Sequence, residues 1–271
     1  MKLCVLGSGS RGNSVLIQSG ATRVLVDAGF APRTMALRLA RLAVDPRSIE
    51  AVIVTHEHVD HVRGAVAGAR KWGWKIFATA GTVGACLPLS DAGVQIVSGG
   101  GAFSVGDMDL EAVRTSHDAS EPVAVVATGR ATGSRAAIVY DLGVMTDAIR
   151  RALERLDLLV LESNHDTEML RQGPYPAVLK RRIAGREGHL SNRAAALAAA
   201  GCSHRGLSHV VLAHLSEVNN TPEKATEAMR AALRRTAFSG SVVASLQDHP
   251  CRTVSADLSA RFGTTQLSLS L

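Results

Sequence analysis

Apolar residues in the first third of the chain fall in short runs bounded by glycine and polar turns. Residues 3–6, 14–18 and 22–26 are rich in Val, Leu and Ile and read as strands. Apolar positions at helical spacing then predict a helix over 32–42, followed by a strand at 51–54. A helix over 62–72 and a strand at 75–78 come next, then β-like segments at 94–97, 110–114, 123–127 and 136–140. The remainder mixes strands (158–161, 210–213, 242–246) with helices (146–156, 177–183, 192–200, 222–235). No Pro/Gly/Ser linker and no repeat divides the chain. The economical expectation is one α/β domain over residues 1–271, built on mixed sheets.

Composition narrows this further. A chain of 271 residues that is 46% hydrophobic has ample material for a core and is not disordered. No apolar run approaches the roughly 18 residues of a membrane span, and the apolar N-terminal stretch is too short for a signal peptide. Cys4, Cys86, Cys202 and Cys251 lie far apart without a C-x-x-C pair, so reduced thiols and a cytoplasmic location are expected. The formal charge of +6 would suit a polyanionic partner. The basic residues are mostly arginine, however, and their one concentrated patch is Lys180-Arg181-Arg182 with Arg186. That patch reads either as a solvated helix face or as a phosphate-holding surface. With 3% aromatic residues, recognition built mainly on base stacking is disfavoured.

Gly7-Ser8-Gly9-Ser10-Arg11-Gly12 satisfies G-x-G-x-x-G after a strand, yet strand-like residues follow it where a dinucleotide fold needs a helix. It reads as a tight turn between antiparallel strands. There is no Walker A sequence, no G-x-S-x-G and no H-E-x-x-H. The chemistry lies instead in Thr55-His56-Glu57-His58-Val59-Asp60-His61, directly after the strand at 51–54. Imidazole nitrogens and a carboxylate at this density are ligands for Zn²⁺ and similar ions. Alternation aims His56 and His58 one way and brings Asp60 and His61 towards a neighbouring point, so one loop can serve two metals. A solvent-exposed histidine loop is the plain alternative.

H-x-H-x-D-H at 56–61 resembles the signature of the metallo-β-lactamase fold, an αββα sandwich of two mixed β-sheets flanked by helices. The resemblance extends along the chain. Asp27 in Leu25-Val26-Asp27-Ala28-Gly29 resembles the turn that braces the metal loop. His117 resembles the third histidine of the first metal site, Asp141 the carboxylate shared by both metals, and His214 the last histidine of the second site. Glu162-Ser163-Asn164-His165-Asp166, Gly188-His189-Leu190-Ser191-Asn192 and Ala213-His214-Leu215-Ser216-Glu217 resemble the YycJ/WalJ-like branch. The resemblance covers most of residues 1–225 and is weak over 83–110 and beyond 236.

It implies two divalent ions, Zn or Mn, with His56, His58 and His117 at one, Asp60, His61 and His214 at the other, and Asp141 shared. It further implies phosphodiester hydrolysis, exonucleolytic on DNA, with Asp60 orienting water and His189 steadying or protonating the departing oxygen. His189 sits just ahead of a helix that Ser191 or Asn192 could cap, and a purely local structural role is its alternative. His165 is a further catalytic candidate, with Glu162 as its orienting partner, or part of a hydrogen-bonded turn. His204 and His209 read as surface or loop residues and His249 is unassigned. The competing functions are a small-molecule phosphodiesterase acting on cyclic phosphates, a thioester or lactam hydrolase, and a non-catalytic metal-bearing module.

Overall fold

Val24-Leu25-Val26 and Val123-Ala124-Val125-Val126 are buried at every position, and only a sheet covered on both faces can bury such runs. The computed structural model describes residues 1–256 and supplies both covers. The sequence expectation of a domain running to residue 271 extends beyond them.

One sheet comprises β1 (Lys2–Gly7), β2 (Ser14–Ser19), β3 (Thr22–Val26), β4 (Ala51–Ile53), β5 (Lys75–Thr79) and β6 (Gln95–Val97). The other comprises β7 (Ala102–Val105), β8 (Met108–Arg114), β9 (Val123–Gly129), β10 (Arg135–Val139), β11 (Leu158–Glu162), β12 (His209–Ala213) and β13 (Ser241–Ala244). A last short strand, β14 (Val254–Ser255), returns to pair with β1 at the edge of the first sheet. Each sheet is mixed. β1–β2–β3 are antiparallel and β3–β4–β5–β6 parallel, while β7 to β10 are antiparallel and β10 to β13 parallel.

Side chains alternate between two environments. Val24, Val26 and Ile53 meet Leu110, Val125, Ile138 and Val160 between the sheets. Leu25 and Val52 instead pack outward with Met35, Leu39 and Ala65 of the helices on one side. On the other side Val126, Leu159 and Leu212 pack with Ala195, Ala199, Met229 and Leu233. The result is helix, sheet, sheet, helix, the αββα sandwich that the resemblance implied.

The helix expected over 62–72 is two helices, Val59–Val62 and Ala65–Trp72. Gly64 separates them because its N–H donates to Ala28 O at 2.7 Å. A Cβ there would lie 2.0 Å from Phe30 O, so only glycine permits the approach. The helix expected over 146–156 spans Asp147–Ala152 and is capped by Thr146. Sequence patterning missed β7 and β14, which are short edge strands, and the brief helices Ala80–Ala85, Leu87–Ser90 and Thr167–Gln172.

Strand register decides what meets at the edge of the sandwich. Val139 pairs with Leu161 and Glu162 pairs with Ala213. Asp141 and His214 therefore emerge just beyond the ends of β10 and β12, on either side of Glu162. In the first sheet Val26 pairs with Ile53, which brings Asp27 beside the histidine segment.

Candidate metal centre

The segment after β4 is braced from beneath. Asp27 is fully buried, and its carboxylate accepts from Thr55 N and Thr55 Oγ1, both at 2.8 Å. His61 Nδ1 lies 2.7 Å from Asp27 Oδ2, and Tyr140 OH donates to the same oxygen at 2.7 Å. A proton on His61 Nδ1 satisfies that contact and leaves Nε2 as a lone pair aimed into the site. Thr55 Oγ1 lies 3.0 Å from His56 Nδ1 and turns the Nε2 of that ring the same way. The chain becomes helical at Val59, so Asp60 and His61 leave a helical turn rather than an extended strand.

Distant residues complete the cluster. His58 Nδ1 lies 3.3 Å from His117 Nε2. A metal with Zn–N bonds of about 2.0–2.1 Å and tetrahedral angles separates its ligand atoms by about 3.4 Å. His61 Nε2 is 2.9 Å from Asp141 Oδ2 and 3.4 Å from Asp60 Oδ2, and His214 Nε2 is 3.6 Å from Asp60 Oδ2. Three sets, His56/His58/His117, His56/His61/Asp141 and Asp60/His61/His214, each bring their ligand atoms within 4.8 Å of one another. His56 Nε2, Asp141 Oδ2 and His214 Nε2 are buried without a hydrogen-bond partner. Orphaned buried lone pairs are costly unless something occupies the point they share. Donor set, spacing and orphaned atoms all fit a pair of divalent ions.

Electrostatics agrees. Burial, reinforced by His61, holds His56 well below the usual imidazole range, and burial likewise lowers His117. These two therefore offer neutral lone pairs. Burial opposes charge on His214 and His61 as well, yet Asp141 and its neighbouring carboxylates raise His214 to about 10 and hold His61 well above its usual value. Despite burial, His214 and His61 hold Asp141 well below the carboxylate range. This half of the site carries carboxylates that demand positive charge.

Asp27, Asp141 and His214 share a backbone anomaly, with φ of 60°, 55° and 54°. Each follows the end of a strand, β3, β10 or β12. The left-handed region is uncommon outside glycine and is held here by the surrounding packing. It turns the side chain sharply off the strand into the site.

Residues 22–215 match the family described as the β-lactamase superfamily domain. The exodeoxyribonuclease YycJ of Bacillus anthracis is 33% identical over 240 residues, 86% of this chain and 89% of that protein. The chain belongs to the metallo-β-lactamase superfamily, in its YycJ/WalJ branch. The exodeoxyribonuclease WalJ of Streptococcus pneumoniae is likewise 33% identical, over 83% of this chain and 85% of its own. Among solved structures, the metallo-β-lactamase fold protein YhfI of Bacillus subtilis superimposes with a TM-score of 0.68 at 19% identity, covering 92% of this chain and 98% of its own. The chain is thus a metal-dependent hydrolase by family.

Within this metallo-β-lactamase-fold site, Glu162 does something other than orient His165. Its Oε1 lies 2.7 Å from His189 Nδ1 and 3.1 Å from His214 Nδ1, and its Oε2 accepts from Leu142 N and Leu190 N, both at 3.1 Å. Burial is offset by His189 and His214, and Glu162 sits at about 2. With its acceptor capacity used on all sides, it is a brace for two imidazoles. His189 lines a cleft of about 240 Å³ together with His58, Asp60, His117, Asp141 and His214. Ser191 caps the helix Asn192–Cys202 by accepting from Ala194 N.

The glycine turn before β2 was legible as a turn between antiparallel strands but not as part of the site. Asn13 Nδ2 lies 3.1 Å from Asp60 Oδ2, and Asn13 Oδ1 accepts from Ser8 Oγ at 2.7 Å. Ser8 Oγ in turn accepts from His214 N at 2.7 Å. A Cβ on Gly29 would lie 1.7 Å from Asp60 O, so glycine is required where the turn, the Asp27 segment and the metal loop meet. Ser8 and Asn13 fall outside residues 22–215, and no metal-ligand motif marks them.

His165 stands apart from the converging groups. It is buried and bridges Ser191 through the backbone, with its Nδ1 lacking a partner. His209 opens β12, and His204 and His209 are half-buried. His249 Nδ1 lies 2.9 Å from Arg41 Nη1, away from the centre. Lys180, Arg181 and Arg182 of the basic patch lie in the helix Ala177–Ile183, none of whose residues is buried, and Arg186 follows it. Arg182 lines the cleft and pairs with Asp118. Among the described residues no helix is long and apolar enough to cross a membrane.

Proposed function

We propose that this chain is a dinuclear-metal phosphodiesterase that removes nucleotides from DNA ends in the cytoplasm. The observation that carries the proposal is the clustering of ligand atoms of His56, His58, Asp60, His61, His117, Asp141 and His214 at the floor of a cleft that also holds a Glu162-braced His189. Two relatives named exodeoxyribonucleases, aligned over more than four fifths of the chain, support DNA as the substrate. When bound, Zn²⁺ or Mn²⁺ would supply Lewis acidity and a nucleophilic water at neutral pH.

The chain's own residues do the rest. His56, His58 and His117 would hold one ion, Asp60, His61 and His214 the other, with Asp141 between them. Asp60, with 16% of its side chain exposed, would orient the attacking water. His189 keeps its Nδ1 on Glu162 and is 21% exposed, so its other nitrogen can give a proton to the leaving oxygen. Arg182 at the cleft wall, with Lys180, Arg181 and Arg186 close to it in the chain, would hold flanking phosphates. His165, buried and within electrostatic reach of Glu162 and His189, is a candidate for tuning His189 rather than for touching substrate.

The test is a length series of end-labelled DNA oligonucleotides beside bis(p-nitrophenyl) phosphate, with Zn²⁺ or Mn²⁺ restored. Stepwise release of nucleotides from an end is expected. Turnover of neither substrate would refute phosphodiester chemistry, and turnover of the small diester alone would refute the nuclease.

A further inference from the structure

Cys4 and Cys251 lie 247 residues apart in the chain and side by side in the fold. β14 pairs antiparallel to β1, with Leu3 opposite Val254, and Cys251 N donates to Val5 O at 2.9 Å just beyond that pairing. Each sulfur rests on the backbone next to the other residue. Cys251 Sγ accepts from Val5 N at 3.2 Å, and Cys4 Sγ donates to Cys251 O at 3.1 Å. A cavity of about 290 Å³, lined by Cys4, Leu16, Leu42 and Thr253, adjoins the pair on the Cys4 side. Cys86 and Cys202 sit in other elements and have no such neighbour among the described residues.

We propose that Cys4 and Cys251 are a modification site, closing to an intramolecular disulfide on exposure to a peroxide. The Cys251 sulfur attacks one peroxide oxygen. The O–O bond breaks, water leaves, and Cys251 becomes a sulfenic acid. The Cys4 sulfur then attacks that sulfur, the S–O bond breaks, and the oxygen leaves as a second water. Two thiols have given up two protons and two electrons, and the peroxide has taken them. The order follows from the local chemistry. The Cys4 side chain beside it holds the Cys251 thiol below its ordinary range, whereas the same contact, with burial, pushes Cys4 well up. The more ionised and less buried thiol is the attacking one.

The position gives the bond a consequence. Residues 245–250, immediately before Cys251, are stitched to the glycine turn that holds His214 and Asp60. Leu246 O accepts from Ser8 N at 3.2 Å, Gln247 Oε1 accepts from Arg11 N at 2.9 Å, and Gln247 Nε2 donates to Gly12 O at 2.9 Å. A covalent tie at Cys251 would pin this strap to β1.

The test uses the intact protein treated with stoichiometric hydrogen peroxide, quenched, unfolded without reductant and alkylated with N-ethylmaleimide. Mass spectrometry is expected to show alkylation at Cys86 and Cys202 only, and one peptide pair joined through Cys4 and Cys251. Thermal unfolding without reductant should shift upward by on the order of 5–10 °C, since the bond closes a long loop in the unfolded chain. Cys251→Ser should abolish both effects, and Cys4→Ser, should it fold, should leave Cys251 as a sulfenic or sulfinic acid. Alkylation of all four cysteines after peroxide, a bond to Cys86 or Cys202, or sulfinic acid at Cys251 in the parent protein would each overturn the proposal.

Discussion

Asp27→Asn isolates how far the candidate centre depends on a residue that touches no ion. Asparagine has the same shape and tolerates the left-handed backbone, so φ of 60° is kept. The change lies in hydrogen bonding. Asp27 Oδ1 faces Thr55 N, which can only donate, so the amide must place its oxygen there and its NH₂ where Oδ2 was. That NH₂ then meets Thr55 Oγ1, His61 Nδ1 and Tyr140 OH. The two hydroxyls can rotate to accept. His61 can accept at Nδ1 only by moving its proton to Nε2, the nitrogen aimed at Asp141 and Asp60. The wrong tautomer thus blocks the ligand atom without displacing the ring.

Changes of this kind beside a metal site typically cost 10–100-fold in affinity, or about 1.4–2.7 kcal/mol. The residual mismatch among buried groups should cost about 1–3 kcal/mol of stability, a fall of about 2–12 °C in Tm for a chain of this size. Metal titration of the metal-free protein by calorimetry, with thermal unfolding alongside, checks both. One of two binding events should weaken while the other, at His56/His58/His117, changes less. Parent-like affinity at both sites in a folded Asp27→Asn protein would refute the tautomer argument.

The other expectations follow from the same geometry. Elemental analysis should find two divalent ions per chain, and Asp141→Ala should lose more metal than His214→Ala because its carboxylate serves both sets; equal retention would mean that Asp141 is not shared. His189→Ala should keep both ions and the parent Tm while kcat falls by roughly 10²–10⁴, the span of one general acid; unchanged turnover would leave His189 a structural residue. Replacing Arg181 and Arg182 together by Gln should weaken DNA binding and flatten the plot of log affinity against log salt by about 1.8, roughly 0.9 for each phosphate no longer neutralised; superimposable slopes would make the helix Ala177–Ile183 a solvated face.

How much of this was legible in the chain depends on the distance over which each part is encoded. Strands such as β3 and β9 announce themselves because residues buried on both faces must be apolar throughout. The cluster His56, His58, Asp60 and His61 is equally legible, because its ligands are sequence neighbours and no packing role explains such density. Family resemblance carried the reading to His117, Asp141 and His214, whose spacing alone says nothing. Short edge strands such as β7, and the break at Gly64, are weakly encoded because pairing and one backbone contact decide them.

The role of Glu162 lay beyond any local signal. In sequence it adjoins Asn164-His165-Asp166, and a brace for His165 was the natural expectation. Parallel register instead places its carboxylate between the residues that leave β10 and β12, where His189 and His214 reach it. Ser8 and Asn13 are the extreme case, a glycine-rich turn whose neighbours in space lie 47 and 206 residues away. By itself the sequence determined the alternation that makes two covered sheets and the local donors that make a metal loop. Only the tertiary structure decided which distant carboxylates and hydroxyls hold those donors in their tautomers, because hydrogen bonds between strand ends depend on register and approach that no local pattern records.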